Sequence, residues 1–169
     1  MPASHPSTDR TNSMIVPATE ADRAQIHDIT ARAGVFNQEE VDSVPAMFDE
    51  YLKLGPGTSG YYFIVYREGQ RVLGFAIYGF RDLTEGVYDL FWIAVDPDAR
   101  RKSVGRKLLT ATEDLVRAEG GRMVIAETSG TAEYDATREF YVRTGYQAEA
   151  IIKDFYSPGD DLYIFIKRL

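Results

Sequence analysis

The sequence predicts a single α/β domain built on a mixed sheet with helices packed against it. Three observations carry this. β-rich apolar runs, bounded by Gly, Pro and Asp turns, recur from residue 61 onward. Helix-spaced apolar patterns precede and separate them. A chain of 169 residues with 44% hydrophobic residues has the size and apolar content of one domain with a real core.

The elements follow in order. Residues 1–13, MPASHPSTDRTNS, are polar and lack the apolar centre of a signal peptide. They are expected to form a disordered tail before one domain over residues 14–169. Met14 to Pro17 is a short strand. Ala21 to Ala33 places Ala24, Ile26, Ile29 and Ala33 at helical spacing and stops at Gly34. Gln38 to Leu54 is a second helix, which Pro45 is expected to kink or split. The run GPGTSG from Gly55 to Gly60 breaks the chain. Tyr61 to Tyr66, Arg71 to Phe80 and Val87 to Val95 are three strands, turning at Glu68-Gly69 and at Thr84-Glu85-Gly86. Ser103 to Glu119 is a helix with Val104, Leu108, Ala111, Thr112, Leu115 and Val116 facing inward, closed by Gly120-Gly121. Met123 to Thr128 is a buried strand, and a helix near Tyr134 to Arg143 ends at Gly145. Tyr146 to Phe155 and Leu162 to Lys167 form a closing hairpin.

Composition removes several function classes. The net charge is −7, which argues against a nucleic-acid partner, since that needs a broad basic face. With no cysteine there is no disulfide, no thiolate nucleophile and no thiolate metal site. The two histidines, His5 and His27, are too few for a His-rich metal site, and no metal is expected. A Ser-His-Asp system would have to use His27, inside a helix. No apolar run approaches the roughly 20 residues of a membrane span. A cytoplasmic protein without a membrane partner is expected.

Residues 90–109, LFWIAVDPDARRKSVGRKLL, depart from this acidic background. Arg100, Arg101, Lys102, Arg106 and Lys107 place five cations in eight residues, where an even spread gives about one. A strand, a basic loop and a helix start in this order form an anion site, because free N–H groups and the positive helix end face the loop. A Walker loop is excluded, since Arg106-Lys107 follow Gly105 instead of Lys-Ser/Thr. A dinucleotide fingerprint needs three glycines, and only Gly105 is present.

Two motifs resemble the GNAT N-acetyltransferase superfamily. Val95-Asp96-Pro97 followed by Arg100-Arg101-Lys102-Ser103-Val104-Gly105 is similar to the loop motif that opens a helix after an apolar strand. Phe140-Tyr141-Val142-Arg143-Thr144-Gly145-Tyr146 is similar to the motif that ends a later helix. Their order and distance agree, and the likeness covers roughly residues 14–169. It implies a mostly antiparallel mixed sheet splayed between strands 4 and 5, with helices on both faces. It implies acetyl-CoA or another acyl-CoA as donor, an amine acceptor, and, as in many members, a homodimer. The pyrophosphate would lie on Arg100, Arg101, Lys102, Ser103, Val104, Gly105 and Arg106, and the pantetheine arm along Ile93, Ala94 and Val95. The family's first loop glycine is Ser103 here, which is expected to cap the helix or touch phosphate through its hydroxyl. Tyr134 stands where many members carry Asn, and is expected to contact the cofactor or to pack.

Acyl transfer to an amine needs a proton removed from the amine and one returned to the leaving thiolate. The resemblance makes Tyr141 the acid. A phenol near pKa ~10 and a thiol near ~8.5 are close enough for transfer. Asp89 stands where some members carry a Glu base, with Glu127 and Glu85 as reserves. With no cysteine, direct attack in a ternary complex is expected, with a backbone N–H near Ile93 to Val95 polarising the carbonyl. The alternatives are a protein Lys or N-terminal acetyltransferase, and a non-catalytic acyl-CoA-binding domain of the same fold. Trp92 is expected in the core or the cleft wall. The segment Ser157-Pro158-Gly159-Asp160-Asp161 reads as a hairpin loop, or as an element attracting a cationic amine.

Overall fold

The computed structural model describes residues 13–169. Residues 1–12, with most of the expected tail and His5, lie outside the described residues, and Ser13 already belongs to the first strand. The chain runs β1 (Ser13–Pro17), α1 (Arg23–Arg32), α2 (Gln38–Leu54), β2 (Tyr62–Glu68), β3 (Arg71–Phe80), β4 (Val87–Val95), α3 (Val104–Ala118), β5 (Met123–Ser129), α4 (Asp135–Arg143), β6 (Gln147–Ser157) and β7 (Asp160–Arg168). Short 3-10 turns at Glu20–Asp22, Pro97–Lys102 and Ala132–Tyr134 lead into α1, α3 and α4.

All seven strands form one sheet in the order β1-β2-β3-β4-β5-β7-β6. Every pairing is antiparallel except β4 with β5. That parallel pairing joins only Val87–Leu90 to Met123–Ala126. Beyond it, β4 stays on β3 out to Val95, and β5 stays on β7 out to Ser129. The sheet therefore opens into a V after Leu90 and Ala126.

Two cores pack on opposite faces. On one, α1 and α2 place Ile26, Ile29, Val44 and Phe48 against Phe63, Phe75 and Ile77. On the other, α3 places Val104, Leu108 and Val116 against Leu73, Leu90 and Val124, beside Tyr141 and Phe165. Close approach of α3 depends on Gly74. A Cβ there would lie 2.8 Å from the Ala94 carbonyl oxygen and 2.9 Å from a Val104 methyl.

Three expectations are refined. Of the kink or split expected at Pro45, the split is absent, and α2 runs unbroken from Gln38 to Leu54. Its start is fixed by a capping box. Asn37 Oδ1 accepts the Glu40 N–H at 2.9 Å, and the Glu40 carboxylate accepts the Asn37 N–H at 2.7 Å. The inward stripe of α3 holds at Val104, Leu108, Thr112 and Val116 but not at Leu115, which is exposed, and it widens to take in Leu109 and Glu113. Glu113 can be buried because Lys167 of β7 donates to both its oxygens at 3.0 Å and to the Thr144 carbonyl at 2.9 Å. Third, the final hairpin is longer than expected at both strands and turns tightly at Pro158-Gly159. Its outer strand β6 is exposed along its whole length. No helix among the described residues is long and apolar enough to cross a membrane.

Tyr78, Tyr141 and Tyr146 are all buried, and burial raises each phenol well above its usual range. Above pH ~10 the unfolded chain loses these protons while the folded chain keeps them, so rising pH favours unfolding. Each phenol contributes up to about 1.4 kcal/mol of lost stability per pH unit in that range. Thermal melts between pH 8 and 11 should show a stability plateau that breaks steeply near pH 10. A flat profile to pH 11 would contradict the burial of these rings.

Candidate active site

Where β4 and β5 part, the structure holds a pocket of about 700 Å³. Of the expected residues, Asp89, Ile93, Tyr134 and Tyr141 line it, together with Glu127 and Trp92. β4 brings Asp89, Trp92 and Ile93, β5 brings Glu127, and α4 brings Tyr141 from behind the split. Since β5 has turned away, the backbone groups of Phe91–Val95 have no sheet partner on that side. Ala94 packs its side chain into the α1–α2 core. Val95 packs toward α3, close to Gly105.

Tyr141 is 5% exposed and sits among Phe140, Tyr146 and Phe165, with ring centroids 5.4–5.6 Å away. Its raised phenol keeps its proton throughout the neutral range. A protonated phenol on a pocket wall is a proton donor.

Asp89 is gripped by Arg81, whose Nε lies 2.9 and 3.0 Å from the two carboxylate oxygens. The same guanidinium reaches Glu127 at 3.2 Å. Arg81 was not foreseeable, because it lies just past the end of β3 and only strand pairing carries it to Asp89. Glu85 stays in the β3–β4 turn, outside the pocket lining, where its carbonyl accepts from Arg122 at 2.6 Å. Tyr134 donates its hydroxyl to Glu40, 3.2 Å from either oxygen. The bond ties the turn before α4 to the start of α2 across the pocket. Burial, then the Glu40 charge, raises the Tyr134 phenol above its usual range. His27 is exposed on α1.

The basic loop lies beyond the pocket, at the end of β4. Asp96 anchors it from a buried position. The carboxylate accepts the Asp98 N–H at 2.9 Å and meets Arg32 at 3.3 Å and Arg71 at 3.1 Å. Burial pushes this carboxyl up, but those three donors outweigh it and hold it below the usual range. Arg100 donates to the Ala33 carbonyl at 2.5 Å. Lys102 reaches Glu68 and Lys107 reaches the Tyr66 hydroxyl, both at 3.4 Å, while Arg106 is exposed. Arg101 lies within the 3-10 turn.

Ser103 does not cap α3. It stands in the left-handed region at φ 56, ψ 26, and its side chain makes no capping bond. A capping serine needs extended backbone, and this one has none. The first-turn N–H groups of Val104, Gly105 and Arg106 are thus left without a side-chain cap. The conformation is one a glycine adopts freely.

The acetyltransferase (GNAT) family matches residues 23–146 of the chain. No curated protein matches it by sequence. A structure from Desulfovibrio desulfuricans, assigned to the GNAT family as an acetyltransferase, is 38% identical, with a TM-score of 0.89 over 92% of this chain and 98% of that one. A Salmonella typhimurium protein solved with its cofactor acetyl-CoA is 23% identical, with a TM-score of 0.70 over 93% of this chain and 94% of that one. An aminoglycoside 6'-N-acetyltransferase complexed with coenzyme A is 15% identical, with a TM-score of 0.70 over 92% of this chain and 96% of that one.

Asp96→Ala should remove about 2 kcal/mol of stability through its lost charged hydrogen bonds. It should also speed amide exchange across residues 97–106. Unchanged exchange there would show that the loop is held by other contacts.

Proposed function

The chain belongs to the acetyltransferase (GNAT) family, and on that premise we propose that it moves an acetyl group from acetyl-CoA to a primary amine of a small molecule or amino acid. The observation that carries this reading is the open V between β4 and β5 with Tyr141 on its wall. The donor's fit to this chain rests on three features. The free backbone edge at Phe91–Val95 can pair an extended pantetheine arm as an added strand would. The uncapped first turn of α3 offers N–H groups to a pyrophosphate. Arg100, Lys102 and Arg106 flank that turn in the chain and add positive charge near it.

The donor, when bound, supplies an activated thioester carbonyl. This chain's residues then have three tasks. The backbone N–H groups near Ile93 to Val95 hold the carbonyl and draw charge onto its oxygen. Asp89 or Glu127 accepts the amine proton, directly or through water. Both lie in one carboxylate–guanidinium cluster around Arg81. Tyr141 returns a proton to the departing sulfur, a role that its buried and protonated state suits. The chain has no cysteine, so a cysteinyl acyl-enzyme has no nucleophile here, which favours direct attack in a ternary complex.

A small-molecule acceptor is favoured over a protein one by the hydrogen bond of Tyr134 to Glu40. It draws two walls of the pocket together where an open groove would be needed for a peptide.

Tyr141→Phe should lower kcat by about 100-fold in acetyl-CoA-dependent thiol release while leaving acetyl-CoA affinity nearly unchanged. An unaltered kcat would remove Tyr141 from the mechanism. Lys102→Glu with Arg106→Glu should weaken acetyl-CoA binding by about tenfold or more, and Ser103→Gly should not weaken it. Calorimetric titration measures all three. Undiminished affinity in the charge-reversed protein would move the phosphate site elsewhere.

A further inference from the structure

From the chemistry of the pocket lining, and resting on the acetyltransferase reading above, we infer that the acceptor is a small amine carrying at least two ammonium groups and no carboxylate. Glu40, Asp89, Glu127, Glu133 and Asp160 all line the pocket, and among the described residues Arg81 is its only Lys or Arg. Arg81 is already shared by Asp89 and Glu127, so no cation in the lining is free to receive an acceptor's carboxylate. Glu40 and Asp160 are held by neutral donors. Glu40 accepts from the Asn37 N–H and the Tyr134 hydroxyl, and Asp160 from the Ser129 hydroxyl at 2.6 Å and the Gly130 N–H at 3.3 Å. Their negative charge is uncompensated by any of these contacts.

The rest of the wall points the same way. Phe36, Phe91, Trp92, Tyr134 and Tyr156 also line the pocket. Aromatic faces beside carboxylates attract organic ammonium ions and do little for neutral or anionic groups. Thr128 on the same wall is 95% buried, from its 5% exposure, and its hydroxyl has no partner. A ligand hydrogen bond would satisfy it. A volume of about 700 Å³ is also far more than a single amino group needs.

One ammonium loses a proton to Asp89, directly or through water, and the free amine attacks the thioester carbon. The C–N bond forms, the C–S bond breaks, and the sulfur leaves with the proton of Tyr141. The attacking nitrogen's second surplus proton passes, directly or through water, to the tyrosinate, so Tyr141 is restored, and the first proton leaves Asp89 for solvent. The second ammonium keeps its proton throughout and rests against Glu40, Glu133 or Asp160. It acts as a handle that places the first.

The test compares 1,4-diaminobutane and spermidine with n-butylamine, lysine and a lysine-containing peptide in thiol release from acetyl-CoA. Calorimetry measures acetyl-CoA binding and spermidine binding separately on the whole protein. The diamines should exceed n-butylamine and lysine in kcat/KM by about tenfold or more, and added salt should narrow the gap. Glu133→Gln, at an exposed position, should reduce the preference, and Asp160→Asn should do so too. Equal or better turnover of n-butylamine, lysine or the peptide would overturn the inference. So would absent spermidine binding in a protein that binds acetyl-CoA. Failure to bind acetyl-CoA would instead overturn the acetyltransferase reading, and spermidine binding would still decide the acceptor.

Discussion

The structure turns on the separation of two parallel strands. β4 and β5 share four residue pairs and then part where β4 shifts its register against β3, between the Leu90 and Trp92 pairs. β4 follows β3 through a register shift at Ile77/Tyr78, and β5 follows β7 to the last residue of the strand. Continued pairing between them would satisfy the polar backbone of Phe91–Val95 and fill the pocket. Parting leaves those groups in need of a partner. The buried aromatic group of Tyr141, Tyr146 and Phe165 backs the opening.

That opening also explains the loop after β4. The end of β4 is held on one side by β3 and on the other by Asp96, which draws Arg32 from α1 and Arg71 from β3 onto one carboxylate and ties the loop's first turn through Asp98. The chain then has to enter α3 within a few residues. Ser103 takes the left-handed conformation that makes the entry, and no side chain covers the helix end. The strain of a non-glycine residue at that point and the exposure of the α3 N–H groups are two results of the same geometry.

Much of this was legible before folding, and the exceptions share a cause. The bounds of α2, β3 and β4 follow from local patterns: apolar runs, a capping pair and glycine breaks. The basic loop and Tyr141 were legible because each sits inside a contiguous motif. Pro45 shows that local propensity can yield to packing, since Val44 and Phe48 on either side are both buried in the α1–α2 core. The burial of Glu113 on α3 depends on Lys167, which is distant in sequence and arrives only with the last strand. Arg81 and Glu40 escaped for the same reason. Nothing beside either in the chain marks it, and only the register of β3 on β4 and the approach of α2 to α4 bring them to Asp89 and Tyr134.

Charge is divided along the split in a way that composition conceals. A net charge of −7 suggests an evenly acidic protein, yet the cations of residues 100–107 gather at the free end of β4 while five carboxylates gather in the pocket. Under the proposed function, two charged substrates would share one cleft and face a problem of orientation as well as affinity. An anionic donor entering from the pocket would pass Glu40, Glu133 and Asp160. Entering along the loop, it meets Lys102, Arg106 and the positive end of α3 instead. A cationic acceptor sees the reverse. On the proposed reading, opposite polarity at the two ends would give each substrate its own entrance before any specific contact forms. The thioester and the amine would then meet beside Tyr141 and Asp89, which both line the pocket. The same parting of strands that opens the pocket sets its two ends apart, so backbone topology and electrostatic sorting have one origin.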